Sequence, residues 1–164
     1  MHTCKKILIL FLSMLFLITA SGIGFAEETE QTPIRKPFKS LRIPGDIRGC
    51  DFDEGGLGVG YHTNNTQNHG SVLNYRPGEK MTMYQPASMG ITVSFSNGEW
   101  TEYTVYVQSA GTYDLVARYS AADDSGKMKV MADGEQLLEF NFKSTGGHTS
   151  PKTAYMGSVK LTAG

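Results

Sequence analysis

The chain has 164 residues, with 15 basic and 16 acidic side chains and a formal net charge of −1 at pH 7. No block of basic residues is present, which argues against nucleic acid as a partner. Once a short leader is set aside, the remaining length suits a single domain.

The first 26 residues predict a secretory signal peptide. Lys5 and Lys6 precede a largely apolar run at residues 7–18, and small residues follow up to Ala26. This order is typical of a leader that is removed on export. A transmembrane anchor is the alternative, although the run is short for a bilayer. We expect cleavage after Ala26 and a secreted, periplasmic or cell-surface protein with no membrane attachment.

Residues 27–42 are polar and contain two prolines, so they predict a linker with little structure. Cys4 falls in the leader, and the exported chain therefore keeps one cysteine, Cys50. One thiol cannot form an intrachain disulfide. We expect the domain at residues 43–164 to depend on its core alone.

Short alternating segments separated by glycine-rich turns recur from residue 43 onward, and they predict β-strands. The predicted strands cover residues 81–84, 91–95, 103–107, 113–119, 128–132, 138–142 and 159–161. The Asp133-Gly134 pair is a strong signal of a two-residue hairpin turn. Many short strands without a helical stripe indicate an all-β fold, an antiparallel β-sandwich of the jelly-roll kind.

A second hairpin is predicted around residues 109–111, where one alternating segment ends and the next begins. The side chains expected to fill the core between the two sheets are Tyr103, Val105, Leu115 and Ala117. Trp100 stands at the start of this hairpin. We interpret it as a packing residue at the sheet edge, with a ligand platform as the alternative.

Side chains able to carry catalysis or hold a metal are sparse. The loop histidines are His62, His69 and His148, and the main acidic cluster is Asp51, Asp53 and Glu54. The histidine spacing matches no zinc motif. Three acids within four residues cannot face each other across a substrate as the two carboxylates of a glycosidase do. We therefore predict no catalytic residue and no metal site.

Aromatic and amide residues on the predicted loops suit the recognition of sugars. They are Tyr61, Asn64, Asn65, Asn68, His148 and Tyr155. Sugar rings expose C–H faces that pack on aromatic rings, and sugar hydroxyls need fixed donors and acceptors such as Asn supplies. Loops of this composition on a rigid β-sandwich are compatible with glycan binding.

Several ordered motifs resemble the family 6 carbohydrate-binding modules. They are IPGDIRGCDFDEGGLGVGYH at residues 43–62, NYRPG at 74–78, GEWTEYTV at 98–105, AGTY at 110–113 and STGG at 144–147. The resemblance covers residues 43–164. It implies a β-jelly roll that binds polysaccharide or oligosaccharide, lacks catalytic activity and is usually tethered to a glycoside hydrolase.

The chain departs from the family 6 pattern on its first strand. That strand usually carries Glu-x-Glu, whose carboxylates help to hold a structural calcium, whereas Arg48 and Cys50 occupy those positions here. Calcium prefers several hard oxygen ligands. We therefore expect no cofactor, and a lost or weakened calcium site.

The family resemblance also implies a loop-end cleft in which a sugar lies between two aromatic rings. Tyr61 matches one ring, and His148 stands where the family usually has Trp. The predicted carbohydrate-binding residues are therefore Tyr61, Asn65 and His148. The family pattern continues beyond residue 164, so a sandwich incomplete at its C-terminus is expected.

Two other functions stay open at this point. The chain could be the N-terminal part of a glycoside hydrolase whose catalytic domain lies further along a longer product. It could also be a structural or adhesion sandwich that has lost sugar binding, which the replacement of Trp by His148 favours.

Overall fold

The structure, a computed structural model, describes residues 33–164. The predicted signal peptide, its cleavage after Ala26 and the first part of the predicted linker lie outside the described residues. Within the described range, no helix has the length and apolarity needed to cross a membrane.

Residues 33–164 form an all-β sandwich, as predicted, with one short 3-10 helix at Gly49–Asp51. The strands are β1 (Leu41–Ile43), β2 (Tyr61–His62), β3 (Met83–Tyr84), β4 (Thr92–Val93), β5 (Trp100–Thr101), β6 (Val105–Val107), β7 (Gly111–Tyr119), β8 (Lys127–Ala132), β9 (Glu135–Asn141) and β10 (Lys152–Leu161). All seven predicted strand segments therefore overlap an observed strand.

The strands are hydrogen-bonded in pairs. β2 pairs with β5, β3 with β4, β7 with β10 and β8 with β9, all antiparallel, whereas β1 and β6 are parallel. The longest pair, β7 with β10, runs from Tyr119 opposite Lys152 to Gly111 opposite Leu161. An irregularity between Tyr155 and Gly157 interrupts its register.

The hairpin predicted at Asp133-Gly134 is confirmed, because β8 and β9 meet there as an antiparallel pair. Asp133 has φ 49° and Gly134 has φ 84°. Positive φ at both central residues is the geometry of a tight hairpin turn whose twist matches that of the flanking strands. Local sequence determines this turn, and so it could be read from two residues.

The second predicted hairpin, around residues 109–111, is wrong. Both strands exist, but β6 pairs with β1 and β7 pairs with β10. The connecting loop is closed by Tyr113, whose hydroxyl donates to the carbonyl of Ser109 at 2.6 Å. An alternating pattern predicts which face of a strand is buried, but it carries no information about the partner strand.

The best-buried core lies away from that loop. Phe52, Tyr61 and Met81 are buried together, with Val93 and Tyr103 packed against them. The Phe52 and Tyr61 rings lie 5.1 Å apart at 56°, a tilted contact that aromatic pairs favour. The residues predicted for the core are half-buried: Tyr103, Val105, Leu115 and Ala117.

Part of the segment expected to be a linker packs against the domain. Lys36 forms an antiparallel bridge with Glu54, and Leu41 is a buried residue of β1. The Phe38 ring lies 4.0 Å from the guanidinium carbon of Arg76 and 5.7 Å from the ring of Tyr75. These partners are distant along the chain, so a polar composition could not predict them.

Candidate functional site

Tyr61 lies in the core and does not fit the predicted role of a sugar-stacking ring. Its side chain is 1% exposed, and its hydroxyl accepts a hydrogen bond of 2.9 Å from the backbone N–H of Lys80. Burial raises its pKa to about 12. Successive residues of a strand face opposite sides, so β2 turns Tyr61 inward and His62 outward. We therefore remove Tyr61 from the candidate site.

Asn65 holds the loop that follows β2. Its side-chain amide donates to Thr82 Oγ1 at 3.2 Å and to Glu99 Oε1 at 3.4 Å, and its backbone N–H donates to Thr63 Oγ1 at 3.1 Å. The side chain is half-buried. These contacts fix the loop in place, which is a positioning role.

His148 lies exposed on a different loop. Hydrogen bonds from Ser125 lower the pKa of the Asp123 carboxyl, and the nearby His148 adds a smaller effect in the same direction. His148 is thus a neighbour of Asp123. By contrast, Tyr61 and Asn65 both contact residues 80–82. The described contacts therefore tie Tyr61 and Asn65 to one segment, and none of them joins either residue to His148.

A pair of rings, the exposed Trp100 and the half-buried His62, lies where β2 meets β5. Trp100 stands directly opposite His62 in the register, so both side chains lie on the same outward face. Their rings are stacked, with centroids 6.1 Å apart and planes at 23°. The Trp100 side chain is 38% exposed. We call Trp100 and His62 the aromatic platform.

The platform is held by a fixed turn before β5. Glu99, the residue before Trp100, accepts a 2.7 Å hydrogen bond from the backbone N–H of Ser96 and another from the hydroxyl of Thr63. These bonds tie the start of β5 to the end of β2. The rings are therefore carried by paired strands with a closed turn, and not by a loop tip.

The sequence predicts Trp100 to be a packing residue, whereas the structure shows its ring partly exposed. The alternation of the segment could have identified Trp100 as an outward-facing residue. Thr101 and Tyr103 face the interior, and successive residues of a strand face opposite sides, so Trp100 faces outward. The partner ring could not be found in this way. Trp100 pairs with His62, which lies 38 positions earlier in the chain.

An open groove of about 360 Å³ lies between the loop after β2 and the turn that precedes β3. The side chains that matter most for its chemistry are Thr66, Gln67, Leu73, Arg76, Glu79 and Lys80. We call it the 66–80 groove. Its volume falls in the range of small-ligand sites.

Arg76 forms the rigid floor of the groove. It is 3% exposed, and its guanidinium carbon lies between the rings of Phe38 and Phe52, 4.0 and 3.9 Å from their centroids. Its terminal nitrogens donate to the carbonyls of Phe52 and Asp53 and to Glu79. The groove is therefore built on a side chain that is fixed on both faces.

The calcium site implied by the family 6 resemblance does not fit the residues present. Cys50 is fully buried, and burial raises the pKa of its thiol, which disfavours a thiolate. The oxygens of Asp51 are already engaged by Arg48, Lys39 and Tyr75. Within residues 33–164, no group of three or more His, Cys, Asp or Glu side chains could hold a metal ion. We derive no role for a metal here.

Comparison with protein families identifies the class of domain. Residues 78–164, just over half of the chain, are similar to a family described as "Carbohydrate binding module (family 35)". The match supports a non-catalytic carbohydrate-binding domain, with family 35 in place of the family 6 that the motifs resembled. No curated protein matches the chain.

Proposed function

The chain belongs to carbohydrate-binding module family 35, and on that premise we propose that it is a secreted, non-catalytic module that binds polysaccharide on the exposed ring of Trp100. Family membership supplies the class of ligand. The aromatic platform, formed by Trp100 and His62, is the proposed sugar-binding surface.

The observation that carries this proposal is the stacked Trp100–His62 pair on an outward strand face. A sugar presents a C–H face that packs on an indole ring, and the remaining indole contact with His62 limits the movement of that ring. A ring that is already ordered loses little entropy on binding. Asn64, exposed two residues after His62, can add a hydrogen bond to a sugar hydroxyl.

Export follows from the basic, apolar and small-residue order of residues 1–26. A non-catalytic module gains biological use when it holds another domain near its substrate, because tethering raises the effective concentration of that domain. We therefore include a tethered glycoside hydrolase in the proposal. A longer reading frame that encodes a hydrolase domain would support this part.

The test is a Trp100→Ala variant in affinity electrophoresis against xylan, cellulose derivatives, β-glucans and agarose. Stacking of a nucleobase on an aromatic ring is worth roughly 1–3 kcal/mol, and a sugar face should gain no more, so we expect binding to weaken about fivefold to a hundredfold. Trp100→Phe should retain part of the affinity. The matched control is Tyr106→Ala, since Tyr106 is 51% exposed on a different strand pair.

Melting curves accompany each variant. Trp100→Ala should melt close to the parent chain, because the ring is partly exposed and lies outside the buried core. Unchanged binding by Trp100→Ala would exclude the platform. Absence of binding by the parent chain to every polysaccharide would instead support the alternative of a structural sandwich.

A further inference from the structure

We propose that the 66–80 groove is a second sugar subsite, which extends the aromatic platform into a site for an oligosaccharide chain. This inference rests on the proposed function, since it assigns a further contact region to the same ligand. It differs from the platform in chemistry, because the groove offers hydrogen-bonding side chains where the platform offers rings.

The groove lies within reach of the platform. His62 belongs to the platform, and Thr66, four residues later, lines the groove. Four residues of fully extended chain span at most about 14 Å, so the two regions cannot be further apart than that along the backbone. One oligosaccharide is proposed to reach both, because the amide of Asn65 donates to Thr82, two residues after Lys80, and to Glu99, the residue before Trp100.

The loop that joins platform and groove is fixed. Asn65 binds Thr82 and Glu99, and Asn68 donates to the carbonyl of Val72 at 2.7 Å while accepting from the backbone N–H groups of Gly70 and Met83 at 2.8 and 3.0 Å. The groove is therefore present before a ligand arrives, and little ordering free energy is lost on binding.

The groove's side chains suit a neutral sugar. Thr66 and Gln67 are exposed, and the amide of Gln67 both donates and accepts hydrogen bonds as a sugar hydroxyl does. Lys80 adds donors, whereas the carboxylate of Glu79 is already paired with the Arg76 guanidinium. Leu73, which is 58% exposed, gives an apolar wall for the C–H face of a sugar.

Because Arg76 is fixed, only the other side chains of the groove can adjust their positions to a ligand. Arg76 is held by two aromatic rings and two backbone carbonyls, so it sets the depth of the groove and cannot swing outward. The adjustable contacts are Thr66, Gln67 and the end of Lys80. Recognition should therefore depend on Gln67 and Lys80 without any change in the floor.

The experiment is calorimetric titration of the domain with oligosaccharides from cellulose, xylan, β-1,3-glucan and agarose, from monosaccharide to hexasaccharide. The parent chain should bind more tightly as chain length increases. The double variant Gln67→Ala/Lys80→Met should lose that increase. Loss of about one or two hydrogen bonds predicts a roughly threefold to thirtyfold weaker hexasaccharide, with monosaccharide and disaccharide unchanged.

The matched control is Gln136→Ala/Lys129→Met, which makes the same chemical changes at exposed positions of the β8–β9 hairpin. This control should bind every length as the parent chain does. Lys80→Met keeps the backbone N–H that binds Tyr61, so the double variant should melt near the parent chain. Thr66→Leu, which removes the hydroxyl and adds apolar bulk without a ring on which a sugar could pack, is a second and independent variant with the same expected loss.

The outcomes separate the two proposals. If Trp100→Ala weakens all lengths while both groove variants bind every length normally, the groove inference is overturned and the platform stands. If groove variants lose the length dependence and Trp100→Ala has no effect, the groove is supported and the platform is wrong. If the parent chain binds none of the oligosaccharides, both are overturned.

Discussion

Arg48 donates two parallel hydrogen bonds of 3.0 Å to the carboxylate of Asp51, from Nε to Oδ2 and from Nη2 to Oδ1. Lys39 lies 3.3 Å from Oδ1, and the Tyr75 hydroxyl donates to the same oxygen. Burial opposes ionisation of Asp51, but the hydrogen bonds from Arg48, Tyr75 and Lys39 outweigh it and lower its pKa. Lys39 thereby ties the segment before β1 to the 3-10 helix.

This cluster predicts a loss of stability in acid. A carboxyl whose pKa is lowered by folding stabilises the protein above its unfolded pKa, near 3.8, and that contribution disappears as the pH falls through the lowered value. The melting temperature of the parent chain should therefore drop between pH 5 and pH 2 by more than that of Asp51→Asn. Asp46→Asn, a change at an exposed acid, should follow the parent chain. Identical acid profiles for Asp51→Asn and the parent chain would contradict the prediction.

The same cluster predicts stability without calcium. Arg48 and Lys39 already compensate the charge of Asp51, and Cys50 is a buried thiol, so no set of hard oxygen ligands is left at this position. The melting temperature should be unchanged on addition of EDTA and on subsequent addition of excess calcium. A decrease with EDTA that calcium reverses would show that other oxygens hold the ion.

The sequence predicted those parts of the fold that depend on neighbouring residues. Alternation in β7, β8 and β9 and the Asp133-Gly134 turn are local features, and both were predicted correctly. The parallel pairing of β1 with β6 brings together residues 64 positions apart. No local pattern encodes such a pairing.

The candidate site shows the same division between local and distant information. The aromatic that follows the glycine-rich loop at residues 55–60 was a reasonable ligand-binding candidate, but composition cannot tell a buried ring from an exposed one. Tyr61 is buried because β2 pairs with β5 with Tyr61 on the inner face. The same pairing places Trp100 on the outer face, although the sequence predicts it to be a packing residue.

Arg76 is expected to be a main determinant of stability. Its guanidinium is desolvated between Phe38 and Phe52 and binds two backbone carbonyls. A desolvated cation–π contact and charged hydrogen bonds together predict a loss of about 3 kcal/mol or more in the free energy of unfolding for Arg76→Ala. Arg76→Lys should recover little, because an ammonium has no planar face to fill the space between two rings.

Chemical denaturation measures this loss. The control is Arg118→Ala, since Arg118 is exposed and makes one hydrogen bond of 2.6 Å, to the carbonyl of Ser88. That change should cost about 1 kcal/mol at most. Equal stability of Arg76→Lys and the parent chain would mean that charge alone, and not the planar stack, holds this side chain in place.

Tyr61 and Trp100 should have opposite effects on stability and on binding. Tyr61→Phe removes the acceptor for the partly buried backbone N–H of Lys80, at a cost of about 1 kcal/mol in the free energy of unfolding. Tyr61→Ala removes the whole ring from the core and should cost about 3–5 kcal/mol. Because the hydroxyl of Tyr61 faces Lys80 and not solvent, Tyr61→Phe should bind polysaccharide with the affinity of the parent chain under conditions where both are folded.

Trp100→Ala should do the reverse, with weaker binding and nearly unchanged melting. The two properties are measured on the same samples, by denaturant titration and by affinity electrophoresis. Weaker binding by fully folded Tyr61→Phe would return Tyr61 to the ligand site, and would mean that β2 presents its inner face to the sugar.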